Sequence, residues 1–440
     1  MDATKYNAYT SILRSELICA LGCTEPIAVA YAASLAKAAL GQMPSHITVY
    51  CSGNIIKNVK AVTVPNSEGM KGIEAAASLG CIAGDYRQKL EVLQSVGPAD
   101  IRAAKQMLDQ GFCSIELAEN VPNLYISCAA ESDKHRAVAT IQVQHTNVCL
   151  LEKDGKPISL PGLSLTSTPE MTDAAEEEQQ DEDLRKLLDL ESIWEYIHCV
   201  DIDDIAKSVT NQIETNSRIA ESGLSQSWGA CVGKTLMSSR KDSISTKAKA
   251  IAAAASDARM SGCPLPVVIV CGSGNQGITT SLPVVQYARD LGVDLDTCIR
   301  AVALSDLIAI HVKYYIGELS AFCGAVSAAC GAGAGICYLK GGTFRQMEAT
   351  IVNTLANVGG IVCDGAKPSC AAKIASSVDA AILGCDMALN NESFSPGEGL
   401  VGTDAEQTIR SMGYLGRVGM SPTDKEILKI MIGKVDTSKC

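Results

Sequence analysis

Hydrophobic and polar residues alternate along one part of this chain and follow a helical period along most of the rest. From Ile115 to Lys153, β-branched residues alternate with polar ones, and Asp154-Gly155 suits a hairpin turn. Residues 47–51 and 59–64 also predict strands, whereas residues 6–40 have interrupted helical spacing. The first part of the chain therefore predicts a mixed α+β fold with a small, mainly antiparallel sheet.

The second part predicts helices almost throughout. Residues 184–199 and 202–219 are amphipathic, and residues 247–258 are rich in alanine. Only the run 266–271 predicts a strand there. We therefore expect a largely α-helical fold after the first part.

These patterns divide the chain into three expected segments. An α+β domain on the substrate side spans residues 1–165, and a mostly helical domain spans residues 186–440. Between them, residues 166–185 form an acidic linker that contains the charge run Glu176–Asp183. Such a charge run is usually a solvated segment, so we assign it no catalytic role.

Composition narrows the class of protein. Of the 440 residues 47% are hydrophobic but only 4% are aromatic, so the core must be built from small aliphatic residues, which suits closely packed helices. The net charge of −12 without a basic run predicts no nucleic-acid partner. The Ala-rich helical surface points to a homodimer.

One uncharged stretch, residues 319–339, is long enough to cross a membrane. Its many Gly, Ala, Ser and Cys residues are too weakly apolar for lipid, so we predict a buried helix followed by a glycine-rich turn, and no membrane partner. The 19 cysteines and the polar start of the chain predict reduced thiols in the cytoplasm.

Five thiols fall between residues 323 and 370. The segment Cys363–Cys370 is turn-like, because Gly365 and Pro368 break any helix, and it could aim two thiolates at one point. A thiolate near Cys323 could complete a three-cysteine site. Zinc usually binds closely spaced pairs such as Cys-x-x-Cys, which this chain lacks, whereas iron–sulfur clusters tolerate irregular spacing. Buried free cysteines remain the alternative.

Four motifs together resemble the L-cysteine desulfidase family, which is related to the α-subunit of iron–sulfur L-serine dehydratases. They are Cys23-Thr-Glu-Pro26, Gly272-Ser-Gly-Asn-Gln-Gly277, Cys323-Gly324 and Cys363-Asp-Gly-Ala-Lys367. The resemblance spans nearly the whole chain. It implies an oxygen-sensitive 4Fe–4S cluster held by Cys323, Cys363 and Cys370, with one open iron that binds the substrate. It also implies β-elimination from a small amino acid. We expect L-cysteine as the substrate and pyruvate, ammonia and hydrogen sulfide as the products, and L-serine is the alternative substrate.

Cys23 and Glu25 are the expected catalytic residues. They lie at a bend before a helix that Pro26 would begin, where the helix dipole stabilises a thiolate. On the residues alone, Thr24 could simply cap that helix while Cys23 packs in the core. With the resemblance, we expect Cys23 to act as the thiolate base that takes the Cα proton, and Glu25 is the second candidate.

A repeated tripeptide predicts the substrate-binding residues. Ser52-Gly-Asn54 and Ser273-Gly-Asn275 each follow a Cys-bearing strand, and two such loops facing one cleft could clamp a carboxylate and an amino group. Ordinary capping turns are the alternative. Three further residues complete the predicted substrate site: Lys57, Gln276 and Lys367.

Other functions remain open on the sequence. Gly272, Gly274 and Gly277 match a dinucleotide fingerprint, which would suit an NAD-dependent oxidoreductase, although further alternating strands and helices are lacking. Lys57 could form a Schiff base with PLP. A non-enzymatic iron–sulfur sensor is a third possibility.

Two kinds of residue receive no catalytic role from the pattern. A lone histidine such as His135 or His145 is more often a surface or strand residue than a ligand. Cys440 ends the chain, and in the related dehydratases a terminal cysteine reaches back to the cluster, but a flexible surface tail is the commoner fate of a terminus.

Overall fold

The computed structural model describes residues 1–165, 184–239, 243–317 and 320–435. The predicted charge run Glu176–Asp183 and Cys440 lie outside the described residues. The strands are β1 (Cys19–Leu21), β2 (His46–Cys51), β3 (Cys113–Leu117), β4 (Tyr125–Glu131), β5 (Arg136–Gln142), β6 (Val148–Lys153), β7 (Lys156–Pro157) and β8 (Pro266–Val268).

Helices make up most of the described structure. They are α1 (Ala3–Glu16), α2 (Thr24–Leu40), α3 (Gly53–Val59), α4 (Gly72–Ala83), α5 (Pro98–Asp109), α6 (Leu190–Cys199), α7 (Ile202–Ser225), α8 (Val232–Ser239), α9 (Ile244–Met260), α10 (Gly274–Leu291), α11 (Leu295–Ile316), α12 (Gly324–Leu339), α13 (Phe344–Val358), α14 (Cys370–Leu389), α15 (Ala405–Tyr414) and α16 (Ser421–Met431).

The main sheet has six strands in the order β3-β2-β4-β5-β6-β7. Only the β2–β3 pair is parallel, and the other neighbours are antiparallel. The β6–β7 hairpin turns at Asp154 and Gly155, whose φ angles of 53° and 73° are typical of a type I′ turn. Helix α2 packs on β4 and β5. The predicted α+β class, with a small mainly antiparallel sheet followed by a largely helical part, is confirmed.

One predicted strand, residues 59–64, does not form, and another is shorter than predicted. The chain leaves β2 directly into helix α3, because the Ser52 hydroxyl accepts a hydrogen bond from the Ile55 N–H and caps this helix. Val59 ends α3, and only an isolated bridge between Thr63 and Lys71 follows. The predicted strand 266–271 shortens to the three residues of β8.

Helix α12 lies at the centre of the helical part, where it packs against α10, α11, α13 and α14. It is buried, as predicted, but the expected glycine-rich turn is wrong because the glycines continue the helix. An added Cβ at Gly331 would lie 2.1 Å from the Ser305 carbonyl oxygen, so the missing side chain lets α11 and α12 approach closely. Among the described residues, no helix combines the length and apolarity needed to cross a membrane.

Elements near both ends of the described structure join the first part of the chain to the helical part. Strand β1 pairs antiparallel with β8, and helix α1 packs on the later helices, where the Tyr9 hydroxyl donates to the Leu187 carbonyl oxygen. At the other end, α16 packs on α3 through an ion pair between Asp424 and Lys57. A large cavity lies between the joined parts.

Candidate active site

The cavity has a volume of about 670 Å³, and segments from both parts of the chain line it. Most of the predicted site residues reach it. They are Cys23, Glu25, Lys57, Ser273, Asn275, Gln276, Cys323, Cys363 and Cys370. The predicted residues Ser52, Asn54 and Lys367 are not part of its lining.

A short backbone bridge holds the first two thiols of the expected cluster site side by side. The Cys323 N–H donates to the Ile361 carbonyl oxygen at 3.0 Å, and the Cys363 N–H donates to the Ala321 carbonyl oxygen at 2.6 Å. Cys323 is also the N-cap residue of α12. Its position is therefore fixed relative to Cys363 by backbone hydrogen bonds rather than by side-chain packing alone.

The loop that carries Cys363 and Cys370 folds back on itself before α14. Gly365 has a φ of +92°, and an added Cβ there would lie 2.3 Å from the Lys57 carbonyl oxygen, so only glycine fits. Asp364 pairs with Lys367 and Lys373 inside this loop. Burial opposes its ionisation, but these two hydrogen-bonded lysines hold the pKa of Asp364 below its usual value. Lys367 thus braces the loop.

The donor set suits an iron–sulfur cluster. Three thiols share one cavity wall, and thiolates are the usual ligands of such clusters. Within the described ranges, no three His, Cys, Asp or Glu side chains converge closely enough to hold a single metal ion. A four-iron cluster needs no such convergence, because each cysteine binds a different iron. The residues present therefore fit the cluster that the resemblance implies.

Cys23 and Glu25 lie at the start of α2. The Cys23 thiol, 2% exposed, donates to Glu25 Oε2 at 3.0 Å, and the Asn58 amide donates to Glu25 Oε1 at 3.0 Å. Burial, reinforced by the charge of Glu25, raises the pKa of Cys23 well above its usual value. Burial alone would also raise the pKa of Glu25, but the influence of His145 and the hydrogen bond from Cys23 bring it below its usual value. The pair is therefore a thiol and a carboxylate at neutral pH.

His145 lines the same cavity, which the sequence interpretation missed. It lies in the loop between β5 and β6, next to Gly272, and its Nε2 is buried without a hydrogen-bond partner among the described residues. Burial lowers the pKa of His145 despite the opposing charge of Glu25, so the ring is neutral at pH 7. The only feature of the sequence that could have indicated a functional role for His145 is its position in a polar, irregular loop after a strand.

Arg259 is a second residue that sequence reasoning missed. It is the last-turn arginine of the Ala-rich helix α9, it is 2% exposed, and it lines the cavity. Its Nε donates to the Gly22 carbonyl oxygen at 2.9 Å. A basic residue in the last turn of a helix usually offsets the helix dipole. The sequence therefore offers no reason to distinguish Arg259 from an ordinary residue at a helix end.

The clamp expected from two Ser-Gly-Asn loops does not form. Ser52 and Asn54 both bind Asn123, through its backbone oxygen at 2.6 Å and its side-chain oxygen at 3.2 Å. Only the second loop, with Ser273 and Asn275, faces the cavity. The first tripeptide serves as a helix cap because its serine follows a strand and begins α3.

The glycine motif does not form a dinucleotide site of the Rossmann type. Strand β8, which precedes it, has three residues and pairs only with the antiparallel β1 among the described strands. An added Cβ at Gly277 would lie 2.0 Å from the Val268 carbonyl oxygen, and one at Gly274 would lie 2.4 Å from Arg259 Nε. These glycines therefore allow close packing of α10 on β8 and on Arg259.

Comparison with known proteins places the chain in a family. The model of the serine dehydratase alpha chain family matches residues 87–429. A UPF0597 protein of Finegoldia magna is 50% identical over 97% of this chain and 99% of its own length. A UPF0597 protein of Lachnoclostridium phytofermentans is 45% identical over 97% of this chain and all of its own length. The chain, with its cysteine-lined cavity, therefore belongs to the serine dehydratase alpha chain family.

Proposed function

We propose that this protein is an iron–sulfur-dependent L-cysteine desulfidase. It would eliminate hydrogen sulfide from L-cysteine to give aminoacrylate, which hydrolyses to pyruvate and ammonia. One observation supports this proposal above all. The thiols of Cys323, Cys363 and Cys370 line the same cavity as the group formed by Cys23 and Glu25. A soft-metal donor set and proton-transfer groups therefore share one space large enough for a small amino acid.

The three thiolates would hold the cluster. When bound, a 4Fe–4S cluster with one open iron supplies a Lewis acid that stabilises the leaving thiolate. The backbone bridge of Cys323 with Cys363 and the braced loop before Cys370 keep the donors in place before the cluster binds.

A second group of residues, Cys23, Glu25 and His145, provides the candidates for the base that removes the Cα proton. Cys23 was the expected base, but its thiol donates to Glu25 and keeps its proton at neutral pH. His145 is neutral, and its Nε2 has no partner within the described residues, so we assign it the Cα proton. Glu25 would stabilise the resulting imidazolium, and Cys23 and Asn58 hold Glu25 by hydrogen bonds.

Sulfide release from L-cysteine tests the reaction. Anaerobically purified protein should release sulfide and pyruvate in equal amounts, and faster than it forms pyruvate from L-serine. A higher kcat/KM for L-serine would instead assign a serine dehydratase, in which the hydroxyl is the leaving group. Turnover of neither amino acid by iron-loaded protein would contradict β-elimination.

Iron analysis of cysteine variants tests the donor set. We expect Cys363→Ala to lose most of the bound iron and its activity, because one of three thiolate ligands is gone. Cys330→Ala is the matched control, since Cys330 is buried in α12 and does not line the cavity. Equal iron content in the two variants would contradict the assignment of Cys363.

A further inference from the structure

Arg259 offers the cavity a buried cation with spare hydrogen-bond donors. Its side chain is 2% exposed and is anchored by the Nε bond to Gly22. Among the residues described, the structure gives its two terminal nitrogens no hydrogen-bond partner. A buried guanidinium whose terminal nitrogens make no hydrogen bond is unfavourable, because these donors are removed from water without a replacement partner. The position therefore points to an anionic ligand.

We propose that Arg259 binds the α-carboxylate of the substrate and so restricts the cavity to amino acids with a free carboxylate. This inference rests on the proposed function, because it names the group that would hold the same substrate. A guanidinium fork matches the two oxygens of a carboxylate, which gives affinity and fixes the orientation of the ligand.

The other cations at the cavity differ from Arg259. Lys57 pairs with Asp424, and Arg185 pairs with Glu16 at 2.6 Å. Lys313 also has a partner, whereas Arg417 is exposed and donates to the Tyr314 carbonyl oxygen at 2.5 Å. Lys57 and Lys367, the cations expected from the sequence, therefore serve the fold.

The start of helix α10 reinforces the anion site. This helix has 18 residues, and its first amides have no intrahelical partner. Ser273, the N-cap residue, makes no side-chain capping bond and lines the cavity. Gly274 brings this helix end against the guanidinium, since an added Cβ would lie 2.4 Å from Arg259 Nε and 2.8 Å from its Cζ. The dipole of α10 and the charge of Arg259 thus favour an anion together.

The negative carboxylate of Glu25 lies near enough to Arg259 for the two charges to interact. The positive charge of Arg259 is one of the influences that lower the pKa of Glu25, which is ionised at neutral pH. An α-amino acid carries an anionic and a cationic group on one carbon. Its carboxylate would bind Arg259 while its ammonium is attracted by Glu25. Simple amines, amides and esters would satisfy only one of the two charges.

Calorimetric binding of L-alanine tests this inference without turnover, because L-alanine has no β leaving group. Wild-type protein should bind L-alanine about 100-fold more tightly than L-alaninamide, which lacks the carboxylate charge. Arg259→Met should abolish the preference, and Arg259→Lys should retain part of it. Arg289→Met is the matched control, since Arg289 lies in the last turn of α10, is exposed, and does not line the cavity.

Equal binding of L-alanine and L-alaninamide by the wild type, or no binding of L-alanine at all, would overturn the role of Arg259. This comparison needs no variant, so it stays decisive if Arg259→Met unfolds. Arg259-dependent binding of L-alanine without elimination from L-cysteine or L-serine would support this inference while the proposed function fails.

Discussion

At the scale of single residues, the cavity shows how burial can outweigh a helix dipole. Cys23 lies at the N-terminus of α2, where the dipole favours a thiolate. However, it is 2% exposed and donates to the carboxylate of Glu25, and both the burial and the negative neighbour favour the thiol. A reactive role for a cysteine at a helix start therefore depends on what faces it.

Replacing His145 tests the proposed base. His145→Gln should lower kcat on L-cysteine by about 100-fold or more and change KM little, because general-base catalysis is lost while binding groups stay. His135→Gln is the control, since His135 is exposed and pairs with Asp154 at the hairpin. Steady-state kinetics of both variants make the comparison, and equal kcat values would remove His145 from the mechanism.

The pH dependence of the same reaction provides a second check. The proposed base must be unprotonated, so activity is lost as the pH falls through the pKa of His145. Because burial lowers this pKa from 6.5, kcat/KM should stay high at pH 6.5 and fall only in more acidic buffer. The acidic limb should disappear from the residual activity of His145→Gln. An unchanged limb would assign it to another group.

At the scale of secondary-structure elements, the C-terminal helix α16 contributes no buried residue of its own. Its attachment to α3 depends on a few contacts. They include the ion pair of Lys57 with Asp424 and the side chain of Leu428, which lies 2.5 Å from the place of a Cβ on Gly53. Lys57 is 2% exposed, so it depends on Asp424 for its counter-charge.

Removing that counter-charge should destabilise the protein. Asp424→Asn leaves the buried ammonium of Lys57 unpaired, and we expect a loss of about 3 kcal/mol in the free energy of unfolding. Glu426→Gln is the control on the same helix, because its pair with Lys429 is exposed and contributes little. Chemical denaturation of both variants provides the measurement. Equal midpoints would show that the pair of Lys57 with Asp424 adds nothing to stability.

The elements also show what the sequence could and could not predict. The sequence was sufficient to predict β4 and β5, because these two strands are neighbours in sequence and pair with each other. The tripeptide at Ser52 was ambiguous, since the same residues suit a loop and a helix cap. The roles proposed for Arg259 and His145 depend on interactions with residues more than 100 positions away, namely a hydrogen bond to Gly22 and an electrostatic interaction with Glu25. No local pattern encodes such contacts.

At the scale of the whole molecule, the helical part contains a buried carboxyl group whose charge opposes folding. Asp306 in α11 is fully buried, and its Oδ2 has no hydrogen-bond partner among the described residues. Its Oδ1 accepts a hydrogen bond from Gln212 at 3.0 Å. Burial raises the pKa of Asp306 to about 7. The folded state therefore binds a proton that the unfolded chain, with an ordinary carboxyl pKa of 3.8, has released.

This difference predicts a pH-dependent stability. Below pH 3.8 Asp306 is protonated in both states. As the pH rises from 3.8 toward 7, the unfolded chain releases this proton first, so the free energy of unfolding decreases. Asp306→Asn keeps the acceptor for Gln212 but cannot ionise, so it should be more stable than the wild type at pH 8. The two should differ less at pH 5. Thermal unfolding at both pH values measures the effect, and a constant difference would exclude Asp306 as its source.

The pairing of β1 with β8 has a consequence for biosynthesis. It joins residues 19–21 to residues 266–268, and the cavity also needs thiols as late as Cys370. A nascent chain therefore cannot complete the cavity until most of it has left the ribosome. Any inorganic cofactor that depends on the finished cavity can therefore enter only after most of the chain has been synthesised and has folded around that cavity.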